Sequence, residues 1–306
     1  HRVDTDKYDL TQAEANLLRM PAGMALVFRT NSSQIAVRTH YLNYSMVRHS
    51  TTGVSQTGYD LYIRKEGQWL YAGSNAPKNK DAELVLVRNM DDSEKECLLY
   101  LPLFSELGRI EIGIDEGAEI EASVNPFRHR IVIFGSSFTH GTSTGRPGMS
   151  YPMIMQRNTG LQFINLGVSG NSKLQQSFAA IIGDNACDAI VVDAFSNPGS
   201  EMIRERFLPF VAAIRKAHPA IPLIFLQTIY RERANFDLKE RVREEEKRRA
   251  AREVFEEATE VYDDIYFVDE PDLTGTDHIT SLDGTHPDDL GYWRWANAIQ
   301  PRIVKI

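Results

Sequence analysis

The stretch Arg130-Ile-Val-Ile-Phe-Gly-Ser-Ser-Phe-Thr-His-Gly141 constrains the fold more than any other part of the chain. Four apolar residues, Ile131 to Phe134, have the length and character of a buried strand. They run straight into Gly135-Ser136-Ser137, a turn that lifts a hydroxyl out of the sheet edge. Further apolar segments follow at 162–166, 189–193, 223–227 and 265–268, with helix-length stretches between them. Strands spaced in this way build βαβ units and hence a parallel sheet covered on both faces. Residues 127–306 are therefore expected to form an α/β domain with a parallel sheet.

Residues 1–126 have a different texture. Short runs recur at 25–30, 34–41, 58–64, 68–72, 83–88, 96–102 and 110–114; several alternate polar with apolar residues, and Gly, Asn or Ser clusters separate them. Seven or so strands at this spacing predict a β-sandwich of the jelly-roll kind. The junction 125–130 is short, which favours two packed domains, 1–126 and 127–306, over units joined by a flexible linker.

Composition narrows the function classes. The 306 residues are 42% hydrophobic and 25% charged, ordinary for a globular chain. The net charge of −8 and a pI near 5.6 leave no electrostatic footprint for a nucleic-acid partner. No apolar run approaches the roughly 20 residues of a membrane span. Cys97 and Cys187 provide neither a disulfide framework nor a metal cluster, and their apolar neighbours predict buried thiols. No phosphate loop, zinc-spaced His/Cys set or dinucleotide fingerprint is present, so no cofactor and no metal are implied. The start at His1, without Met or an apolar leader, fits a mature or trimmed chain from which an export signal has been removed.

Near the C-terminus lies Asp283-Gly-Thr-His286, an acid and a base three residues apart. A serine hydroxyl is a poor nucleophile until a base takes its proton, and a carboxylate against the imidazole Nδ1–H leaves Nε2 for that task. Between the two motifs stand Asn165-Leu-Gly-Val-Ser-Gly-Asn171 and Val191-Val-Asp-Ala-Phe-Ser-Asn197. These four blocks, in this order, resemble those of the SGNH/GDSL hydrolase superfamily. The resemblance implies a flavodoxin-like α/β/α fold and a serine esterase. It places the nucleophile at Ser137, the base at His286 and the acid at Asp283. Oxyanion donors are implied at the Ser137 N–H, the Gly170 N–H and the Asn197 amide. Ser136 departs from the family's Asp, which leaves two adjacent hydroxyls and altered turn hydrogen bonding. Phe195-Ser-Asn-Pro198 departs from the usual Gly-x-Asn-Asp. Asp288 and Asp289 also lie close enough in sequence to compete with Asp283. In the first half, Gly58-Tyr-Asp-Leu-Tyr62 is similar to the Gly-x-Asp-Leu-Tyr signature of a domain preceding SGNH-type esterases. On the residues alone, Tyr59, Leu61 and Ile63 would fill one strand face and Tyr62 the other.

Tyr230 and Arg231 follow the apolar segment 223–227 at its carboxyl end, where open α/β sheets collect ligands, and are candidate substrate-wall residues. His140 is assigned a substrate-facing or exposed role. The charged stretch 238–258 reads as a helix with a solvated outer face and an apolar stripe of Val242, Ala250, Val254, Phe255, Ala258, Val261 and Tyr262. A β-sandwich ahead of the hydrolase resembles carbohydrate esterases that remove acetyl groups. The favoured substrate is thus a short-chain acetyl ester, small or polysaccharide, with Tyr41, Tyr44, Tyr59, Tyr62, Trp69 and Tyr71 as sugar-stacking candidates or core. Such a substrate points to secretion or the periplasm, with a cytoplasmic site left open. A lipid, thioester or arylester acylhydrolase is the alternative enzyme. A carbohydrate-binding protein with a degenerate hydrolase half is the alternative of another class. The oligomeric state is not encoded legibly.

Overall fold

The computed structural model describes residues 1–44 and 49–306. Among the described residues the first half contains eight strands: β1 (Ala25–Thr30), β2 (Ile35–Asn43), β3 (Tyr59–Lys65), β4 (Gln68–Asn75), β5 (Leu84–Val87), β6 (Lys95–Tyr100), β7 (Glu106–Gly113) and β8 (Ile120–Ala122). They form two antiparallel sheets ordered β4-β3-β6-β1-β8 and β5-β2-β7. Phe28, Tyr59, Leu61, Cys97 and Leu99 of the larger sheet share a core with Ile35, Val37, Leu84 and Leu86 of the smaller one. This is the expected sandwich. Two helices, α1 (Gln12–Arg19) and α2 (Gly53–Thr57), were not anticipated. Thr11 and Glu14 cap α1 reciprocally, and its Leu17 and Leu18 bury in the core of the second half.

The second half alternates β9 (Arg128–Gly135), α3 (Ser137–His140), α4 (Tyr151–Thr159), β10 (Leu161–Gly167), α5 (Gln176–Gly183), β11 (Ala189–Asp193) and α6 (Ser200–Ala217). Then come β12 (Leu223–Leu226), α7 (Leu238–Thr259), β13 (Ile265–Val268) and α8 (Asp289–Lys305). The parallel sheet is ordered β10-β9-β11-β12-β13. The first strand of this half thus lies between its second and third, the flavodoxin-like order, with a switch point between β9 and β11. Alternate residues of each strand serve opposite faces. Val132, Phe134, Ile190, Val192, Leu223 and Phe225 meet α5, α6 and α7. Ile131, Ile133, Val191, Ile224 and Leu226 meet α4 and α8. Burial on both faces explains why these strands read as unbroken apolar runs.

The larger sandwich sheet is also covered twice. Tyr62, Leu98 and Tyr100 leave the sandwich core and join Ile133, Met153, Met155 and Trp295 of the second half. Tyr41, Tyr59 and Tyr62 are therefore core residues, and Tyr71 is the exposed member of the proposed stacking set. Cys97 is buried as expected, but Cys187 is half-buried because it lies in the loop before β11.

Because Leu98 is wholly buried where the halves meet, Leu98→Ala is expected to cost about 2–5 kcal/mol. Urea unfolding followed by near- and far-UV circular dichroism should show one shared transition moving to lower urea. A shift confined to one of two separate transitions would contradict the continuous core.

Candidate active site

The turn after β9 aims two neighbouring serines in different directions. Ser136 caps α3: its Oγ accepts the Phe138 N–H at 3.2 Å, and its own N–H donates to the Asp193 carbonyl at 3.2 Å. It is fully buried. A serine in this place fits the cap position well, since short hydroxyl side chains accept from the first helical turn. Ser137, the first residue of α3, sends its Oγ to His286 Nε2 at 2.9 Å. Of the two hydroxyls, that of Ser137 is the one that meets the imidazole. The elbow packs directly on the strand ends: a Cβ at Gly135 would lie 2.0 Å from Thr139 Oγ1, and one at Gly167 would lie 2.3 Å from the His140 nitrogen.

His286 comes from the loop before α8. Its Nδ1–H donates to Asp283 Oδ2 at 2.8 Å, while Asp283 Oδ1 accepts the backbone N–H groups of Thr285 and His286 at 2.9 and 2.8 Å. Burial pushes the Asp283 carboxyl up, but the His286 ring and these two N–H groups outweigh it and hold the group well below the usual carboxylate range. Asp288 and Asp289 are engaged elsewhere. Asp288 caps α8 through the Gly291 N–H, and Asp289 accepts the Gly145 N–H. The Phe138 ring packs against the imidazole in a T-shaped contact, with centroids 5.5 Å apart. Serine, imidazole and carboxylate form one hydrogen-bonded chain capable of moving a proton from Oγ to Nε2.

The other two groups expected as oxyanion donors lie in loops at the same carboxyl edge. Gly170 follows β10 with φ of +75°, and a Cβ there would meet nothing within 4 Å. Its backbone conformation, rather than crowding, favours glycine. Asn197 follows β11, and its Oδ1 accepts from both the Ser172 N–H and Oγ at 3.2 and 3.1 Å. Those bonds orient the amide and leave its N–H groups as donors.

Three expectations need correction. Arg231 is not a substrate wall: its guanidinium is buried and donates to the Ser196 carbonyl and Oγ at 2.9 and 2.8 Å. It also pairs with Glu240 and Glu244 of α7, and Lys247 adds bonds to Glu244 and Ser196. That face of α7 is therefore a buried ionic cluster behind the Asn197 loop, whereas Val242 and Val261 of the supposed apolar stripe are exposed. His140 is neither exposed nor substrate-facing. It is wholly buried, stacked on Phe104 at 4.3 Å, with Nε2 bonded to the Leu103 carbonyl. Tyr230 turns toward Asn235 and lines a small crevice with Ser281, Thr285 and Pro287, behind the His286 loop.

Sequence reasoning missed Asp193 and Asp60. Asp193 clamps the elbow twice, by its carbonyl to Ser136 and by Oδ2 to Thr139 Oγ1 at 2.8 Å. An acid ending the apolar run 189–193 was the available signal. Complete burial, incompletely offset by Thr139 and Tyr151, pushes its carboxyl up to about 7 from 3.8. The folded state then holds a proton that the unfolded chain releases above about pH 4, so this residue's contribution to stability falls as pH rises from about 4 to about 7. Asp193→Asn should gain stability relative to the native chain across that window and level off above it. Chemical unfolding at several pH values checks this; a difference independent of pH would mean that Asp193 titrates normally.

The pattern of the GDSL-like lipase/acylhydrolase family matches residues 128–304. The pattern of the Gly-x-Asp-Leu-Tyr N-terminus of SGNH-type esterases matches residues 1–120. Among solved structures, a protein assigned as a GDSL-like lipase from Bacteroides ovatus ATCC 8483 is 40% identical, with a TM-score of 0.96 over 100% of this chain and 91% of that one. The salicylyl-acyltransferase SsfX3 of a tetracycline biosynthetic pathway is 20% identical, with a TM-score of 0.77 over 99% and 87% of the two chains. A family two carbohydrate esterase from Clostridium thermocellum, solved with cellohexaose, is 13% identical, with a TM-score of 0.64 over 94% and 97%. The last two likenesses establish the fold. The search of curated proteins found no match. Among the described residues no helix is long and apolar enough to cross a membrane. Family pattern, fold and an overall likeness at 40% identity together make this chain a member of the GDSL-like lipase/acylhydrolase family and an ester hydrolase.

Proposed function

We propose that the chain hydrolyses short-chain, acetyl-type esters on carbohydrate, with Ser137 as nucleophile, His286 as base and Asp283 as the acid that orients it. The continuous Ser137–His286–Asp283 hydrogen-bond chain, at 2.9 and 2.8 Å, carries this reading. Ser137 Oγ attacks the ester carbonyl as its proton passes to Nε2. The resulting oxyanion is met by the N–H groups of Ser137 and Gly170 and the Asn197 amide. Collapse breaks the bond to the alcohol, which leaves with the proton from His286. Water, deprotonated by the same imidazole, then attacks the acyl-enzyme and releases the acid. Asp283 stays ionised throughout, consistent with its depressed pKa.

The carbohydrate part rests on likeness of fold to the cellohexaose-bound esterase and on the sandwich that precedes the hydrolase half. The acetyl part rests on likeness of fold to an acetyl xylan esterase from the rumen bacterium Butyrivibrio proteoclasticus.

Steady-state hydrolysis of p-nitrophenyl esters from acetate to decanoate, alongside acetylated oligosaccharides, tests the proposal. Activity should peak at acetate and be abolished in Ser137→Ala. Asn197→Ala should lose about 100- to 1000-fold in kcat, and Asp283→Asn about 10,000-fold. A maximum at long acyl chains would transfer the reading to a lipid-type acylhydrolase. Full activity in Ser137→Ala would reject the nucleophile.

A further inference from the structure

The Gly58–Tyr62 motif is not accounted for by the mechanism, yet it contains a fully buried acid, Asp60. Tyr59 and Leu61 point into the sandwich core, whereas Asp60 and Tyr62 lie on the opposite side of β3 and meet the hydrolase half. Both Asp60 carboxylate oxygens accept from Arg146 Nη1, at 2.8 and 2.7 Å, and Oδ2 also accepts the Gly148 N–H at 2.9 Å. Arg146 bonds the Tyr62 hydroxyl and lies over the Tyr71 ring at 4.5 Å. The approach is tight enough that a Cβ on Gly148 would sit 2.7 Å from Asp60 Oδ2.

Arg146 and Gly148 belong to the loop 141–149, which adjoins both sides of the Ser137–His286 pair. At its start, the Gly141 and Thr142 N–H groups donate to the Ser137 carbonyl at 3.0 and 2.9 Å. In the middle, the Gly145 N–H donates to Asp289 Oδ1 at 2.7 Å, and the Tyr292 hydroxyl donates to the Thr142 carbonyl at 2.7 Å. Asp289 opens α8, three residues after His286. From the sandwich, Thr52 Oγ1 donates to the Gly145 carbonyl at 2.6 Å, and Ser55 Oγ meets Thr144 Oγ1 at 2.7 Å. The loop therefore has the sandwich on one side and the mounts of serine and histidine on the other.

We propose that Asp60 is a positioning residue for ester hydrolysis: by holding Arg146 and Gly148 it sets the loop 141–149, and through that loop the placement of Ser137 against His286. The sandwich is then a working part of the catalytic half. Adhesion alone does not require this arrangement, since Leu98, Tyr100 and Tyr62 already bury apolar surface between the halves. A buried ion pair adds little net stability to such a contact, but a carboxylate gripped by three hydrogen bonds fixes direction and register. This inference rests on Ser137 being the nucleophile.

The test compares the native chain with Asp60→Asn, Arg64→Gln and Ser137→Ala. Arg64 lies on the same strand and makes an exposed pair with Glu96, so its variant controls for disturbance of β3. Each protein is assayed well below its Tm for kcat and KM on p-nitrophenyl acetate, and for both the stoichiometry and the rate of labelling by a fluorophosphonate. Asp60→Asn should label to full stoichiometry, with labelling rate and kcat each reduced about 10- to 100-fold and KM little changed, the size of loss that small misplacement of reacting groups produces. Arg64→Gln should match the native chain. Native rates per labelled site in Asp60→Asn, with any loss proportional to missing sites, would overturn the proposal and leave Asp60 a stabilising residue only. If Asp60→Asn does not fold, Arg146→Lys, which keeps the charge but loses the planar contact with Tyr71, is judged by the same criteria. Failure of the native chain to label at Ser137 would instead refute the nucleophile assignment, and this inference with it.

Discussion

The contact on which the site depends is backbone against backbone. Helix α3 has four residues, too few to hold its own direction, and it rests on the ends of β9 and β10 where Gly135 and Gly167 have no side chain to keep it away. Any Cβ at either position would overlap the turn that carries Ser137. Asp193, at the end of the adjacent β11, then fixes the elbow with its carbonyl and its carboxyl. The direction of the Ser137 hydroxyl is thus set by three neighbouring strand ends at the topological switch point. Burying a carboxyl in that position weakens its acidity, and the residue stays because it holds two points of the turn at once.

Charge is used in the same way farther out. Arg231, Lys247, Glu240 and Glu244 are buried together behind Ser196, one residue before Asn197. Their net contribution to stability is small once desolvation is counted, yet every member has a directed partner in the cluster or on the Ser196 carbonyl. The result is a loop whose geometry is constrained from behind by a long helix and from the side by Ser172. Asp60 and Arg146 repeat the pattern between the two halves. Apolar surface supplies the adhesion and buried charge supplies the register.

Period and composition made the architecture legible. The alternation over 25–114 and the unbroken runs at 131–134 and 189–193 correspond to strands buried on one face or on two. Helix α1 escaped because its two-residue apolar patch, Leu17-Leu18, is too short to signal a helix without the α/β core it packs on. The charged helix α7 was found but its inner face was misread, since Glu240, Glu244 and Lys247 look like solvated residues until Arg231 is brought beside them. His140 and Arg231 failed as substrate-facing residues for a related reason: their polar atoms are taken up by partners distant in the chain, Leu103 for the one and α7 for the other.

From the sequence by itself came most of the strands, their order and the two-part organisation. Strand periodicity carries these, whereas the positions Ser137, Asp283, His286, Gly170 and Asn197 follow from the resemblance of four sequence blocks to the SGNH/GDSL hydrolases. Only the tertiary structure decided which of two adjacent serines faces the imidazole, which of three nearby aspartates meets it, and which buried charges hold the loops in place. Those outcomes turn on pairings between residues as far apart as 149 positions, such as Ser137 with His286. Local pattern carries no information about such distances, because they are set by how the sheet is ordered and by what the remaining buried polar groups need as partners.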